Sequence, residues 1–416
     1  MRGFWVVGGA ALLCAAGPVR AWADPVRVLF VGNSFTHGRY DPARNDNAGF
    51  DSGPGAAGGP HVHDLLCLAA ATCSAAERVA PTDPDTEAYP PLAFTVRQKL
   101  DYLAATPSAQ YAEAGPFGGV PGVFLQLARD AGLDYDVSVI AVSAATLAGK
   151  SFDGSAANSA LIGSARWDRV VLQDQSFEPL PPTVVVDGRS VATRGDPATF
   201  QAGVDGLVGK IDAADAAAGK APVPVTLYET PPMASYGYAS ARLDAPIYGS
   251  SASAPGGPNA PYVGAANPVA QMAGDLHRAY FAAAAAWNAA NPGGSRLDVA
   301  PAGDAWVSAM NVRVAQVDPF LPVEPGGTVD LWDGDALLAC CTAPIGYHPS
   351  SYGAYLDALV LFAKVTGHSA LVGGGGQAAR MLGVAPAVAL GLQLAAAATI
   401  AAGGPVAAAP WTWAQQ

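Results

Sequence analysis

Positive charge is scarce in this sequence: 22 Lys and Arg stand against 34 Asp and Glu in 416 residues. Counterion release, which drives binding to phosphate backbones, needs clustered Lys and Arg, so nucleic-acid binding is disfavoured. Attachment to an anionic membrane surface is disfavoured for the same reason. Charge of either sign is sparse. At 13% charged and 51% hydrophobic, against roughly a quarter charged in ordinary domains, this is not a solvated disordered chain and it can bury a large core. A phosphate-cradling loop is missing as well. The glycine runs at 53–59 and 373–376 lack the strand-to-helix setting and the Lys that such a loop requires.

Cysteines are few, and their placement depends on where the mature chain begins. Arg2 opens a short basic region, residues 4–16 are apolar, and Ala21-Trp22-Ala23 has the small-x-small form of a signal peptidase site. Residues 1–23 therefore read as an export signal. The mature chain would have 416 − 23 = 393 residues and, without Arg2 and Arg20, a net charge of 20 − 34 = −14. Leu13 precedes Cys14 where a lipoprotein signal carries a small residue, so the expected product is soluble and secreted or periplasmic. Cys67, Cys73, Cys340 and Cys341 remain, an even number compatible with disulfides, and three connectivities are open. If 64–79 is helical, Cys67 and Cys73 stand about 9 Å apart along the axis, too far to bridge. A second apolar stretch, 381–404, is interrupted by Pro386 and Gln393 and suits a terminal packed helix better than a membrane span.

Five short continuous apolar runs, 26–31, 137–142, 169–173, 223–228 and 297–300, predict buried parallel strands covered by helices on both faces. Helical patterns fall at 120–131, 199–218, 269–290 and 352–366. The alternation predicts a three-layer α/β/α fold on a five-stranded parallel sheet, in one domain with insertions at about 37–93, 178–197 and 231–268. The first and third insertions follow strand C-terminal ends, the edge where open α/β sheets bind ligands.

The first strand ends in Gly32-Asn33-Ser34-Phe35-Thr36, which leaves a hydroxyl at that edge. Taken alone, a Ser there is also a common helix N-cap. Far along the chain, His348 is followed by Pro349 and Ser350 just before a helix, where a rigidly held imidazole can act as general base. A loop His beside a helix cap is the plainer alternative.

Together, Gly32-Asn33-Ser34 and His348-Pro349-Ser350 resemble the SGNH (GDSL-like) hydrolase superfamily, in a variant with Gly-Asn-Ser as first block. Intermediate blocks follow in order: Gly119 to Phe124 leading a helix, Ser143 to Leu147 where the family's second block has Gly, Trp167 to Ser176 where its third has Gly-x-Asn-Asp, and Pro301 to Trp306. The blocks span nearly the whole mature chain; the three insertions have no counterpart. The resemblance implies a flavodoxin-like fold and an exported serine ester hydrolase without metal or organic cofactor. Its substrate would be an ester, acyl or acetyl, on a carbohydrate. Ser34 would be the nucleophile and His348 the base. The oxyanion hole would use the Ser34 N–H, a backbone N–H near Ala145 and the Gln175 amide, with Gln173 as competitor or as a buried structural amide.

One position departs from the family. Its acid stands three residues before the His, and here that residue is Ile345. Asp335, ahead of Asp333 and Asp330, could reach His348 through the loop 336–344; otherwise a Ser-His dyad would operate. Ile345 also leaves open a secreted carbohydrate-binding protein without catalysis, and acyl transfer to a glycan would use the same residues. No obligate protein partner is evident. Other residues carry weaker signals. His61 and His63 read as a solvated loop rather than metal ligands, His37 as a surface turn ahead of a pocket-lining residue near Ser34, His277 as the polar face of a helix and His368 as a helix C-terminus or loop. Tyr228, Tyr236, Tyr238, Tyr248, Tyr262 and Met233 could shape a cleft or simply hold a long loop on the body.

Overall fold

A computed structural model describes residues 24–38, 42–49, 61–66, 116–238, 260–319, 329–332, 348–372 and 376–404. The expected export segment, Asp333, Asp335, Ile345, Tyr248, the loop 336–344 and the cysteines lie outside these residues.

All five apolar runs are strands: β1 (Val26–Gly32), β4 (Tyr135–Ala141), β5 (Arg169–Leu172), β8 (Val225–Tyr228) and β9 (Leu297–Ala300). They pair in parallel in the order β4-β1-β5-β8-β9, the 2-1-3-4-5 order of a flavodoxin-like sheet when only these five are counted. The sheet has seven strands rather than five. β2 (Ala48–Gly49) and β3 (Val62–Asp64), both from the first insertion, extend the β4 edge in parallel. They are too short for periodicity to reveal. The second insertion is also structured, as an antiparallel hairpin of β6 (Thr183–Val186) and β7 (Arg189–Ala192). Its turn residues Asp187 and Gly188 have φ of 50° and 72°, the left-handed pair demanded by a two-residue hairpin turn, for which Asp-Gly is a favoured sequence.

Alternation along β1 builds two cores. Val28 and Phe30 enter one, Leu29 and Val31 the other, and all four are fully buried. The first core is covered by α2 (Gly119–Asp130), α7 (Ala302–Asn311), α8 (Ser351–Thr366) and α10 (Pro386–Ala402). The second lies mainly under α4 (Pro197–Ala217) and α6 (Pro268–Ala290), with α3 (Ala156–Ile162) at its margin. The remaining short helices are α1 (Ser34–His37), α5 (Ala234–Gly237) and α9 (Gln377–Met381). Local chemistry fixes the long helix starts: Asp196 and Asn267 accept N–H groups three residues on, and Pro197, Pro268 and Pro386 occupy first turns. α8 stops at Gly367 in the left-handed conformation. α10 packs through Leu392, Ala395 and Ala396, while Leu390 and Leu394 are exposed. Among the described residues no helix is long and apolar enough to cross a membrane.

Candidate active site

β1 lies between β4 and β5, so the chain leaves it first to one side and then to the other. Such a switch point opens a crevice beyond the strand ends. Ser34 follows β1 there and Gln173 follows β5.

The turn after β1 leaves no room for a side chain at position 32: a Cβ on Gly32 would stand 2.1 Å from Thr36 Oγ1 and 2.6 Å from Gln173 Oε1. Asn33 caps α1. Its side-chain oxygen accepts the Phe35 N–H, and its carbonyl accepts those of Thr36 and His37. Its amide nitrogen donates to Ala145 O and Asp174 O, both at 3.2 Å. Asn33 thus joins the first, second and third sequence blocks. The Asn33, Phe35, Thr36 and His37 N–H groups are thus occupied within the turn or by Gln173.

His348 meets Ser34 here: Nε2 lies 2.8 Å from Ser34 Oγ, although 314 residues separate them. Both are nearly buried, at 4% and 5% exposure. The next two residues in the chain fix its placement. Pro349 bridges to Trp332 in antiparallel fashion, and Ser350 N–H donates to Leu331 O (2.8 Å) while its hydroxyl donates to Asp330 O (2.7 Å). The Ser350 oxygen also accepts the Tyr352 and Gly353 N–H groups and so caps α8. A helix start and a strand-like bridge therefore hold the chain immediately after His348. Asp330, third in the expected order of acids, accepts the Trp332 N–H at 2.9 Å.

The two glutamines of the third block differ sharply. Gln173 is fully buried; its Oε1 accepts the Asn33 N–H and the Thr36 hydroxyl, each at 2.9 Å, and its Nε2 contacts Asp174 O and Thr230 Oγ1. It is the structural amide that ties β5 to the Ser34 turn. Gln175 accepts the Phe177 N–H through Oε1 (2.9 Å), and among the described residues its Nε2 has only a long 3.4 Å contact with Ser176 Oγ. An amide so oriented retains capacity to donate.

Between them, Asp174 Oδ1 accepts the Leu147 and Gln175 N–H groups. Among the described residues its Oδ2 and Glu178 Oε2 are buried without a hydrogen-bond partner. Burial pushes both carboxyls upward, and the charge of Asp174 raises Glu178 further.

In the second block Ala144 has φ of 59°, the left-handed region that residues with a side chain seldom adopt. The Ala145 N–H, expected to serve an oxyanion hole, donates to Val142 O at 3.1 Å; what Ala145 gives the site is the carbonyl that holds Asn33. His37 is corrected from a surface turn to a fully buried residue stacked on Phe117, with Nε2 2.9 Å from Ser143 Oγ. Period and burial of the four-residue α1 are too brief to show in the sequence. The tyrosines are core rather than cleft: Tyr228, Tyr236 and Tyr262 are buried, and Tyr228 and Tyr262 donate to Asp357 and Asp275. Met233 is buried with them, and Tyr238 is half-buried against the body. His63 pairs with Asp136 at 3.0 Å on β3, while the Asp64 carboxylate accepts the Phe117 N–H, so these neighbours do not converge as ligands. His368 lies exposed past Gly367, as expected.

No family model matches the chain, and no curated protein does. Two solved structures are similar in outline. One is a DUF4886 family protein from Bacteroides uniformis, at TM-score 0.44 and 13% identity, covering 93% of this chain and 98% of the other. The second is a "putative SGNH hydrolase" from Slackia heliotrinireducens, at TM-score 0.35 and 16% identity, covering 82% of this chain and all of the other. The α/β/α assignment rests on the strand order itself.

Proposed function

We propose that this chain is a serine ester hydrolase of the SGNH type. The observation that carries the reading is the 2.8 Å approach of His348 Nε2 to Ser34 Oγ at the sheet's switch point. A hydroxyl and an imidazole at that distance can pass a proton, and a Ser on a turn with no room for a side chain at position 32 is held for attack. His348 takes the Ser34 proton as Oγ attacks the ester carbonyl. The Ser34 N–H and the Gln175 amide stabilise the oxyanion. His348 then protonates the departing alkoxide, and water, deprotonated by the same imidazole, releases the acid from the acyl-enzyme.

Asp335 or Asp333 orients His348 in this account. Both belong to the segment that leaves Trp332, which is bridged to the residue after His348. The substrate is an acyl or acetyl ester on a carbohydrate, and the protein works after export; the family resemblance and the sequence of residues 1–23 support these two points. Ile345 favours a second reading, a secreted carbohydrate-binding protein that retains Ser34 and His348 without turnover. A fluorophosphonate probe separates the two. Covalent labelling on the peptide containing Ser34, abolished in Ser34→Ala, is the expected result. A folded protein that stays unlabelled would sink the hydrolase reading.

A further inference from the structure

Several buried carboxylates here are well satisfied. Asp357 accepts the Tyr228 hydroxyl and the Trp306 indole N–H; Asp275 accepts Tyr262 and Arg278; Asp64 accepts a backbone N–H. Glu229 is different. It is fully buried just after β8, and among the described residues neither carboxylate oxygen has a hydrogen-bond partner. The backbone N–H of Asp304 approaches it without reaching normal hydrogen-bond geometry.

Facing Glu229 is Asp304, in the first turn of α7 and also fully buried, with Oδ1 unpartnered among the described residues. Its Oδ2 lies 2.7 Å from His277 Nδ1. His277, expected on the polar face of its helix, is instead turned toward this buried acid with its side chain 27% exposed, and it stacks on Phe281. One ligand atom from each of the three residues lies within 4.8 Å of the other two. Gly303 makes the approach possible, since a Cβ there would stand 2.9 Å from Glu229 Oε1.

We propose that Glu229, His277 and Asp304 bind one divalent transition-metal ion, Zn2+ foremost. Two carboxylates and an imidazole are the nitrogen and oxygen donors such ions take, and three protein ligands leave a position for water. Tetrahedral bonds of about 2.1 Å hold ligand atoms roughly 3.4 Å apart, so small side-chain rotations close the set. The ion supplies the positive charge that two adjacent buried carboxylates lack, and the partly exposed His277 edge offers a way in. Bound there, it would clamp α6 and α7 to the end of β8. The neighbouring Thr230 reaches Asp174 O and Tyr280, so the clamp stiffens the strand beside the Ser34 site without touching it. The site is independent of the ester-hydrolase reading.

The test is isothermal titration of the full chain, freed of metal by chelator and dialysis, with ZnCl2 and separately MnCl2, accompanied by thermal unfolding with and without metal. One ion per chain and a raised melting temperature are expected. His277→Ala, at a partly exposed position that should fold, should weaken binding at least about tenfold, as should Asp304→Asn. His63→Ala and Ser34→Ala should bind as wild type does. Absence of saturable binding, or wild-type affinity in His277→Ala, would overturn the proposal. If circular dichroism shows Asp304→Asn unfolded, His277→Ala decides alone.

Discussion

Replacing Gln173 by Ala should damage stability far more than the loss of an exposed glutamine would. Gln173 Oε1 is the acceptor for two buried donors, the Asn33 N–H and the Thr36 hydroxyl, both at 2.9 Å. Each buried donor left unsatisfied costs about 1–3 kcal/mol, and the emptied side-chain volume adds a cavity penalty. The Thr36 hydroxyl can rotate to another acceptor, which removes part of one contribution. The expected loss is about 3–5 kcal/mol, a large share of the roughly 5–15 kcal/mol that holds a domain together. Urea denaturation followed by tryptophan fluorescence reads it as a lowered midpoint at unchanged slope. Gln175→Ala should do the reverse: it frees only the Phe177 N–H, costing about 1 kcal/mol, while turnover falls about 10²–10³-fold with little change in KM. If Gln173→Ala unfolds at the wild-type midpoint and Gln175→Ala keeps full turnover, the two roles have been assigned the wrong way round.

The same geometry sets three further outcomes. Gly32→Ala should lower both stability and ester turnover, because its methyl group would occupy the space of Thr36 Oγ1 and Gln173 Oε1; paired urea and initial-rate measurements check this, and wild-type behaviour in both contradicts it. Asp335→Asn should preserve the fold and cut turnover by up to about 10⁴, as an amide offers imidazole the wrong partner, with Asp333→Asn and Asp330→Asn milder; full turnover in all three leaves a Ser-His dyad. Burial pushes the carboxyls of Asp46 and Asp357 up to about 6 and about 7. A raised folded value means the native state holds the proton, so this stability is complete below about pH 4 and lost as pH rises through 6 to 7. In chelator, the urea midpoint should fall between pH 5 and pH 8, and Asp357→Asn should flatten that fall.

The central sheet was legible because a strand buried on both faces must be apolar at every position, as Val28 to Val31 are. The long helices α2, α4, α6, α8 and α10 were legible from their residue patterns, whereas α7 was not. β2 and β3 escaped because two or three residues carry no period, and their place at the sheet edge is set by β4. The β6-β7 hairpin carried its own signal in Asp187-Gly188, between Val-rich and alternating residues, masked by the prolines before it. At the site, Ser34 and His348 each carried a weak local signal, but they could be paired only through family resemblance, since no local pattern links residues so far apart. The burial of His37 and the gathering of Glu229, His277 and Asp304 arise from contacts among α1, α2, α6, α7 and β8 that no local window contains. The roles of Gln173 and Gln175, two residues apart, became separable only once each amide's partners were known.

The most direct test of the account is turnover of a short-chain chromogenic ester by Ser34→Ala, measured beside wild type of equal thermal stability. If Ser34 Oγ is the atom that His348 activates, turnover falls by about 10³–10⁶ while the unfolding transition stays in place. Turnover within about tenfold of wild type would remove Ser34 from the chemistry and contradict the account.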